Sequence, residues 1–301
     1  SMKDETLARP ECSASAECIE GWRDMHRYSC IVAYDGTAYQ GWQAQGHTAQ
    51  TIVGALTASF RRTFNLDCGI MGASRTDAGV HALGQVMRLT TSLSLEPERL
   101  RMALNAHLPP DIHIRSCSNA LPEFHPLHGV RRKRYYYHVA HKRPLPLISR
   151  FVYAPYYDYS RERLENALKI FEGEHDFRSF CTGDEQETTV RTIHAIRIES
   201  LPRYGVDRII IEGPGFLRHM IRRIVGAALT IAASPKRDIH ELSELLVAKI
   251  LKQPLPQHLH MGYFFERCGT IMINQKTIRS AFVGALGALA VECFRSRFMV
   301  V

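Results

Sequence analysis

Half-polar strand segments alternate with amphipathic helical stretches through most of this chain, and that alternation limits its fold more than any other feature. Tyr28–Tyr34 reads as a strand that stops at the turn pair Asp35-Gly36. Ile52, Leu56, Phe60 and Phe64 recur every four residues and make one face of a helix over 52–64. Gly69–Ala73 is a short apolar run, followed by the polar stretch Ser74–Gly79 and a further strand at Gln85–Thr90. Pro97 suits a helix start, and Leu100, Leu104 and Leu108 carry its stripe until Pro109-Pro110 end it. Asp111–Cys117 is another strand, and Leu121–Gly129 (LPEFHPLHG), rich in turn formers, marks a domain boundary.

The second half repeats the alternation. Lys133–Ala140 is a strand, and Leu164, Leu168 and Phe171 mark a helix closed by Gly173. Strands are predicted at Thr192–Ser200 and Asp207–Glu212, a helix at Phe216–Ala232, and a further helix behind the capping box Asp238-x-x-Glu241. Because several strands are polar on one side, the pattern favours an α+β fold with antiparallel or mixed sheets over a doubly wound parallel sheet. The similar order of the halves hints at a duplicated unit.

Composition excludes some functions. The 301 residues carry a net charge of +8, which suits a polyanionic partner, although many basic proteins bind no nucleic acid. Eight cysteines are dispersed without a C-x-x-C pair, and His240-Glu241 is followed by Glu244 and Leu245 where a zincin motif needs its second histidine. A structural metal is therefore not expected, and dispersed thiols suggest a reducing, cytoplasmic compartment. The apolar segment Ala281–Cys293 is interrupted by Glu292 and is shorter than the roughly 20 residues of a membrane span. It is expected to pack on the protein or form an interface, with no membrane partner. Gly213-Pro-Gly215 has neither a Walker lysine nor dinucleotide-binding spacing, so no nucleotide cofactor is expected.

Three features carry chemistry. In Ser74–Ala82 (SRTDAGVHA), a loop between two strands, Arg75 and Asp77 are separated by one threonine, and Gly79 gives the backbone freedom to expose them. A carboxylate oriented by a guanidinium can attack or stabilise a sugar C1′; the same spacing also fits an Arg–Asp pair that merely braces the loop. Arg131, Arg132, Lys133 and Arg134 run directly into Tyr135, Tyr136 and Tyr137, with Tyr135 and Tyr137 on one face of a strand. Cations for phosphates beside aromatic rings for bases hold single-stranded or flipped nucleotides; the bland alternative is a solvated basic edge followed by core tyrosines. In the helix predicted at 216–232, Arg218 and Arg222 lie four residues apart and could clamp a phosphate or pair with a catalytic carboxylate, or simply be surface arginines.

Taken together, these features resemble the TruA family of tRNA pseudouridine synthases, bacterial type. SRTDAGVHA is similar to that family's central motif, usually GRTDAGVHA, and YDGTAYQGWQ (34–43) to its N-terminal signature. LNAHLPPD (104–111), Phe124-His125, Lys133–Tyr137, the D-F-x-x-F segment at Asp176–Phe180 and FLRHMIRRIVG (216–226) match further stretches, so the likeness runs from about Tyr28 to Phe265. The resemblance implies two ferredoxin-like halves with a joined, mainly antiparallel sheet and a basic cleft between them. It divides the chain into a flexible leader (1–26), an N-terminal half (27–122), a C-terminal half (123–266) and an extension of unknown role (267–301). It further implies cofactor-free conversion of uridine to pseudouridine in the anticodon arm of tRNA, on the 3′ side of the loop and its adjoining stem, by a homodimer. A catalytically inactive tRNA-binding protein or RNA chaperone on the same fold is the alternative.

Carried over position by position, the resemblance makes Asp77 the catalytic aspartate, Arg75 its partner in the loop, Tyr135 the tyrosine against the target base, and Arg222 the helix arginine near the aspartate. Arg131, Arg132, Lys133, Arg134, Tyr137, Arg218 and His81 are expected to contact RNA. The sequence departs from the family pattern at Ser74 (usually Gly), at Val53 (usually Gln) and at Leu255–Phe265, which keeps only an outline of an A-P-A-x-G-L-x-L run.

Overall fold

The structure, a computed structural model, describes residues 25–43, 48, 50–128, 130–182, 188–248 and 269–273. The expected Leu255–Phe265 and Ala281–Cys293 segments lie outside them. In the first half the order is β1 (His26–Tyr34), α1 (Ile52–Phe64), β2 (Gly69–Gly72), β3 (His81–Thr91), α2 (Pro97–Asn105) and β4 (Ile112–Asn119). Strand β1 pairs antiparallel with both β3 and β4, and β2 pairs antiparallel with β3. This is the β-α-β-β-α-β pattern of a ferredoxin-like unit, in which every neighbouring pair is antiparallel.

The second half repeats it with an insertion: β5 (Lys133–Ala140), α3 (Arg161–Lys169), the short pair β6 (Gly173–Asp176) and β7 (Val190–Ile193), then β8 (Ala195–Leu201), β9 (Val206–Gly213), α4 (Met220–Ala233), α5 (His240–Ala248) and β10 (Gly269–Ile273). The strand order β4-β1-β3-β10-β5-β9-β8 makes one sheet of both halves. The seam is β10, antiparallel to β5 and parallel to β3. One edge of the long β3 serves two partners, β2 along Met87–Thr90 and β10 along His81–Gly84. Strand β10 falls in the stretch expected to be an extension beyond residue 266.

Local chemistry explains the elements. Helix α1 starts where the Thr51 hydroxyl accepts the Gly54 N–H (3.1 Å) and ends at Asn65, whose φ of 52° asparagine tolerates. Its apolar stripe buries Ile52, Leu56 and Phe60 against Tyr28, Cys30 and Val32 of β1 and Met87 and Leu89 of β3. Leu164 and Leu168 of α3, with Ile224, Val225, Ala228 and Leu229 of α4, cover Tyr137, Val139, Ile209 and Ile211. Tyr135 packs against both clusters, so the two cores meet on the helix side of the sheet. The capping box forms: the Glu241 carboxylate accepts the Asp238 N–H (3.1 Å) and the Asp238 carboxylate accepts that of His240 (3.0 Å).

Two sequence expectations need correction. Thr192–Ser200 is two strands, broken at His194, whose N–H donates sideways to the Glu212 carbonyl (2.7 Å) while β7 turns to pair with β6. The helix expected from Phe216 begins only at Met220, because His219 has a left-handed backbone (φ 61°) that no α-helix interior accepts. Arg218 therefore lies outside the helix.

Phe60→Ala should lower unfolding free energy by about 3–5 kcal/mol, the usual cost of a fully buried phenylalanine, whereas Met102→Ala, at a position 61% exposed, should stay within about 0.5 kcal/mol of wild type. Midpoints of chemical denaturation at matched slope check both.

Candidate active site

Between β2 and β3 the chain reverses through residues 73–80, and its polar backbone groups need partners in a largely buried place. The segment after β1 supplies them. Trp42 donates its N–H to the Thr76 carbonyl (3.0 Å), and the Gly79 N–H donates to the Tyr39 carbonyl (3.2 Å). The Gln85 amide donates to the Ser74 carbonyl (2.6 Å), and the Tyr34 hydroxyl bonds the Thr76 hydroxyl (2.8 Å). The same segment closes the start of α1, where the Ile52 and Val53 N–H groups donate to the Gly41 and Trp42 carbonyls (both 3.1 Å). A side chain at Gly41 (φ 97°) would stand 2.7 Å from the Thr76 carbonyl oxygen, and one at Gly72 would strike the Trp42 ring. The YDGTAYQGWQ stretch is thus the cradle of the loop that carries Asp77.

Asp77 is presented across the seam. Its Oδ2 receives Arg222 Nη2 of α4 at 3.3 Å, and His219 Nε2 stands 3.7 Å from the same oxygen. Carboxylate and guanidinium come from opposite halves, 145 residues apart in sequence, and the Arg222 side chain is only 13% exposed. A charge pair so shielded from water interacts more strongly than the same pair at the surface.

Tyr135 closes the other side. Its hydroxyl bonds that of Ser74 (3.2 Å), and the Phe216 ring stands edge-on with centroids 5.2 Å apart. Burial pushes the phenol up to about 12, the Asp77 charge adds to this and the Ser74 bond opposes it. At neutral pH the hydroxyl keeps its proton. A glycine at position 74, the family's usual residue, could not make this bond.

Other expected site residues are placed differently. Arg75 is exposed and makes no hydrogen bond or ion pair among the described residues; the partner of Asp77 is Arg222. Tyr137 is 2% exposed inside the second core, so of the two tyrosines on that face only Tyr135 reaches the site. His81 lies under the loop: its Nδ1 is 3.1 Å from the Gly36 N–H and 2.9 Å from Asp35 Oδ1, and its ring meets Phe151. Those two contacts ask for opposite protonation of one nitrogen, and the carboxylate contact is the shorter.

Strand alternation splits the basic run between the faces of β5. Arg134 (2.7 Å) and Arg132 (3.3 Å) bind Glu212, which also takes Arg197 (2.9 Å). Lys133, on the Tyr135 face, is lowered to about 8, mainly by burial and further by Arg191. Arg131 and Arg218 are exposed. Among the described residues no group of three or more His, Cys, Asp or Glu could hold a metal ion. His219 was missed in the sequence, where a polar residue next to an apolar period carries no signal of the backbone turn that aims it.

The tRNA pseudouridine synthase family profile matches residues 30–125 and 167–259, which include the Asp77 loop, His219 and Arg222. The chain belongs to that family. It is similar to tRNA pseudouridine synthase A of Pseudothermotoga lettingae, 37% identical over 226 residues, covering 73% of this chain and 91% of that protein. It is also similar to the proteins of that name from Thermodesulfovibrio yellowstonii (34% identical, 78% and 96% covered) and Thermotoga neapolitana (37% identical, 75% and 91% covered). Among solved structures, a Cbf5-Nop10-Gar1 complex aligns at 15% identity with a TM-score of 0.30, over 67% of this chain and 45% of that one. Tyr135 and the basic run of this pseudouridine synthase lie between the two matched stretches.

Replacing Gly205 (φ 61°, open space around it) with alanine should cost about 1–2 kcal/mol of left-handed strain. Gly41→Ala adds an overlap with the Thr76 backbone to comparable strain. Denaturation midpoints should rank Gly41→Ala clearly below Gly205→Ala.

Proposed function

We propose that this family member converts uridine to pseudouridine in the anticodon arm of tRNA, with Asp77 as the catalytic carboxylate. The observation that carries the reading is the meeting of Asp77 with Arg222 across the seam. A binding surface for phosphates has no use for a lone carboxylate, whereas cleavage of a glycosidic bond does. As C1′–N1 breaks, C1′ becomes electron-poor, and an oriented carboxylate compensates by attack or by charge. The uracil turns, C1′ bonds C5, the C5 proton leaves and N1 takes a proton. Bonds and charge balance without an oxidant, a reductant or an energy source.

The surrounding groups suit this chemistry. Arg222 holds the carboxylate from a largely buried position. Tyr135, kept protonated, offers a ring against which a flipped base can pack, and unstacking that base costs a few kcal/mol. Arg75 and Arg131, exposed and free of partners among the described residues, are available to phosphates. Glu212 carries three arginines, so an excess of positive charge remains on that edge of the sheet. A homodimer working in the cytoplasm completes the proposal; the free thiols of Cys30, Cys68, Cys117 and Cys181 suit a reducing compartment. Among the described residues no helix is long and apolar enough to cross a membrane.

Unmodified tRNA transcript incubated with protein and mapped by chemical derivatisation and primer extension should show pseudouridine in the anticodon arm. Asp77→Asn should form none while binding tRNA within a few-fold of wild type, since the amide keeps the shape but cannot act as nucleophile. Tight binding by wild type without product would leave the chain a non-catalytic RNA binder. Replacing Arg131 and Arg132 together should weaken tRNA binding and reduce the slope of log affinity against log salt by about 0.7–0.9 for each phosphate no longer neutralised. An unchanged slope would make both residues solvated surface.

A further inference from the structure

His219 is the group beside Asp77 that this reading leaves without a role. It holds a left-handed backbone (φ 61°), a conformation uncommon for a residue with a side chain. Its neighbours impose it. Thr182 donates its N–H to the Arg218 carbonyl (3.1 Å), and the Arg223 N–H donates to the His219 carbonyl (3.1 Å). The Thr182 hydroxyl lies 2.8 Å from His219 Nδ1, which fixes the ring and turns Nε2 towards Asp77 Oδ2, 3.7 Å away. Arg222 already holds that oxygen, and Oδ1 has no partner among the described residues.

The charged groups facing the imidazole are Arg222, Arg223 and Arg218 on one side and Asp77 on the other. Burial and then Arg222 pull its proton affinity below the ordinary histidine value, Asp77 opposes them, and the ring is neutral at neutral pH. Where the Thr182 hydroxyl donates to Nδ1, the single ring proton sits on Nε2 and faces the carboxylate.

We propose that His219 is a positioning residue for Asp77: its Nε2–H closes onto Oδ2 when RNA fills the site and, with Arg222, fixes the carboxylate so that Oδ1 meets the sugar. The proposal rests on Asp77 being the catalytic carboxylate. At 3.7 Å the contact is longer than a hydrogen bond, and active-site contacts of this kind tighten in the substrate complex. A neutral donor orients the carboxylate without laying a second full positive charge on it, which would weaken it as a nucleophile. The short Thr182–His219–Asp77 chain also links the D-F-x-x-F segment, which Thr182 follows, to the catalytic loop.

Steady-state kinetics of His219→Gly and His219→Asn provide the test, since both residues accept the left-handed backbone and only asparagine keeps a side-chain donor. The glycine variant should show a kcat about tenfold to a hundredfold lower, as expected for a misplaced reacting group, with KM for tRNA within about threefold; asparagine should restore much of the activity. In wild type, kcat should fall in acid as His219 takes a proton, and this limb should be absent from the asparagine variant. Nitrogen-15 NMR of the histidines reads the same arrangement without turnover. His219 should be an Nε2–H tautomer titrating below the ordinary histidine range, and lower still in Asp77→Asn, which removes the neighbouring charge that favours protonation. Wild-type kcat in His219→Gly, an Nδ1–H tautomer, a titration indifferent to Asp77→Asn, or a drop in kcat matched by weaker tRNA affinity and not rescued by asparagine would each overturn the proposal. Wild-type protein that forms no pseudouridine would sink the proposed function, and the NMR measurement would still decide the placement of His219.

Discussion

A carboxylate from one half of the sheet meets a guanidinium from the other, and much of the architecture follows from making that meeting dependable. Asp77 sits on a loop and Arg222 on a helix, so neither is fixed by the element that fixes its partner. An ion pair in a shielded place is worth having only at good geometry, because both groups have given up water to reach it. Each side must therefore be rigid by itself, and the halves must be locked to each other. The first demand is met by the cradle formed from residues 34–42 and by the packing of α4; the second is met by a strand shared between the halves.

The cradle makes plain why a turn distant from Asp77 in sequence decides how that residue is presented. Backbone groups of the loop are satisfied by Trp42, Tyr39 and Gln85, and two glycines are required where side chains would collide with Thr76 or with the Trp42 ring. Tyr135 belongs to both cores and bonds to Ser74. A disturbance in either core can thus reach the site through one ring. The stability of both cores and the geometry of the site are coupled here through packing that they share.

Much of this was legible in the sequence, for identifiable reasons. The helix at 52–64 was readable because its apolar residues fall on one stripe. The Asp77 loop stood out because turn residues and opposite charges coincide between two strands. What escaped was decided by tertiary contact. Adjacency made Arg75 the natural partner of Asp77, yet the place is taken by Arg222, 145 positions away, which the family likeness and not the local pattern had put near the aspartate. The apolar period of α4 continues back through Phe216, and nothing in it marks the one backbone angle at His219 that delays the start of the helix to Met220 and aims the imidazole. Alternation put Tyr135 and Tyr137 on one face but could not say which would be covered by helices. Strand β10 is a short segment with no likeness to lean on, and its place is set by the two edges it fills.

That strand has a consequence for how the protein comes into being. His81 and Thr270, neighbours across the seam, are 189 residues apart in the chain. Chains fold from the N-terminus as they are made, and contacts between distant segments form last. The first ferredoxin-like unit can settle early, and β5 can pair with β9, but the edges of β3 and β5 stay open to one another until residues 269–273 have left the ribosome. From the completion of β5 until β10 is made, the nascent chain thus exposes two strand edges. Joining of the halves waits on a strand that lies 189 residues beyond the end of the loop, so a product truncated before it would carry the Asp77 loop without the shared strand that locks one half to the other.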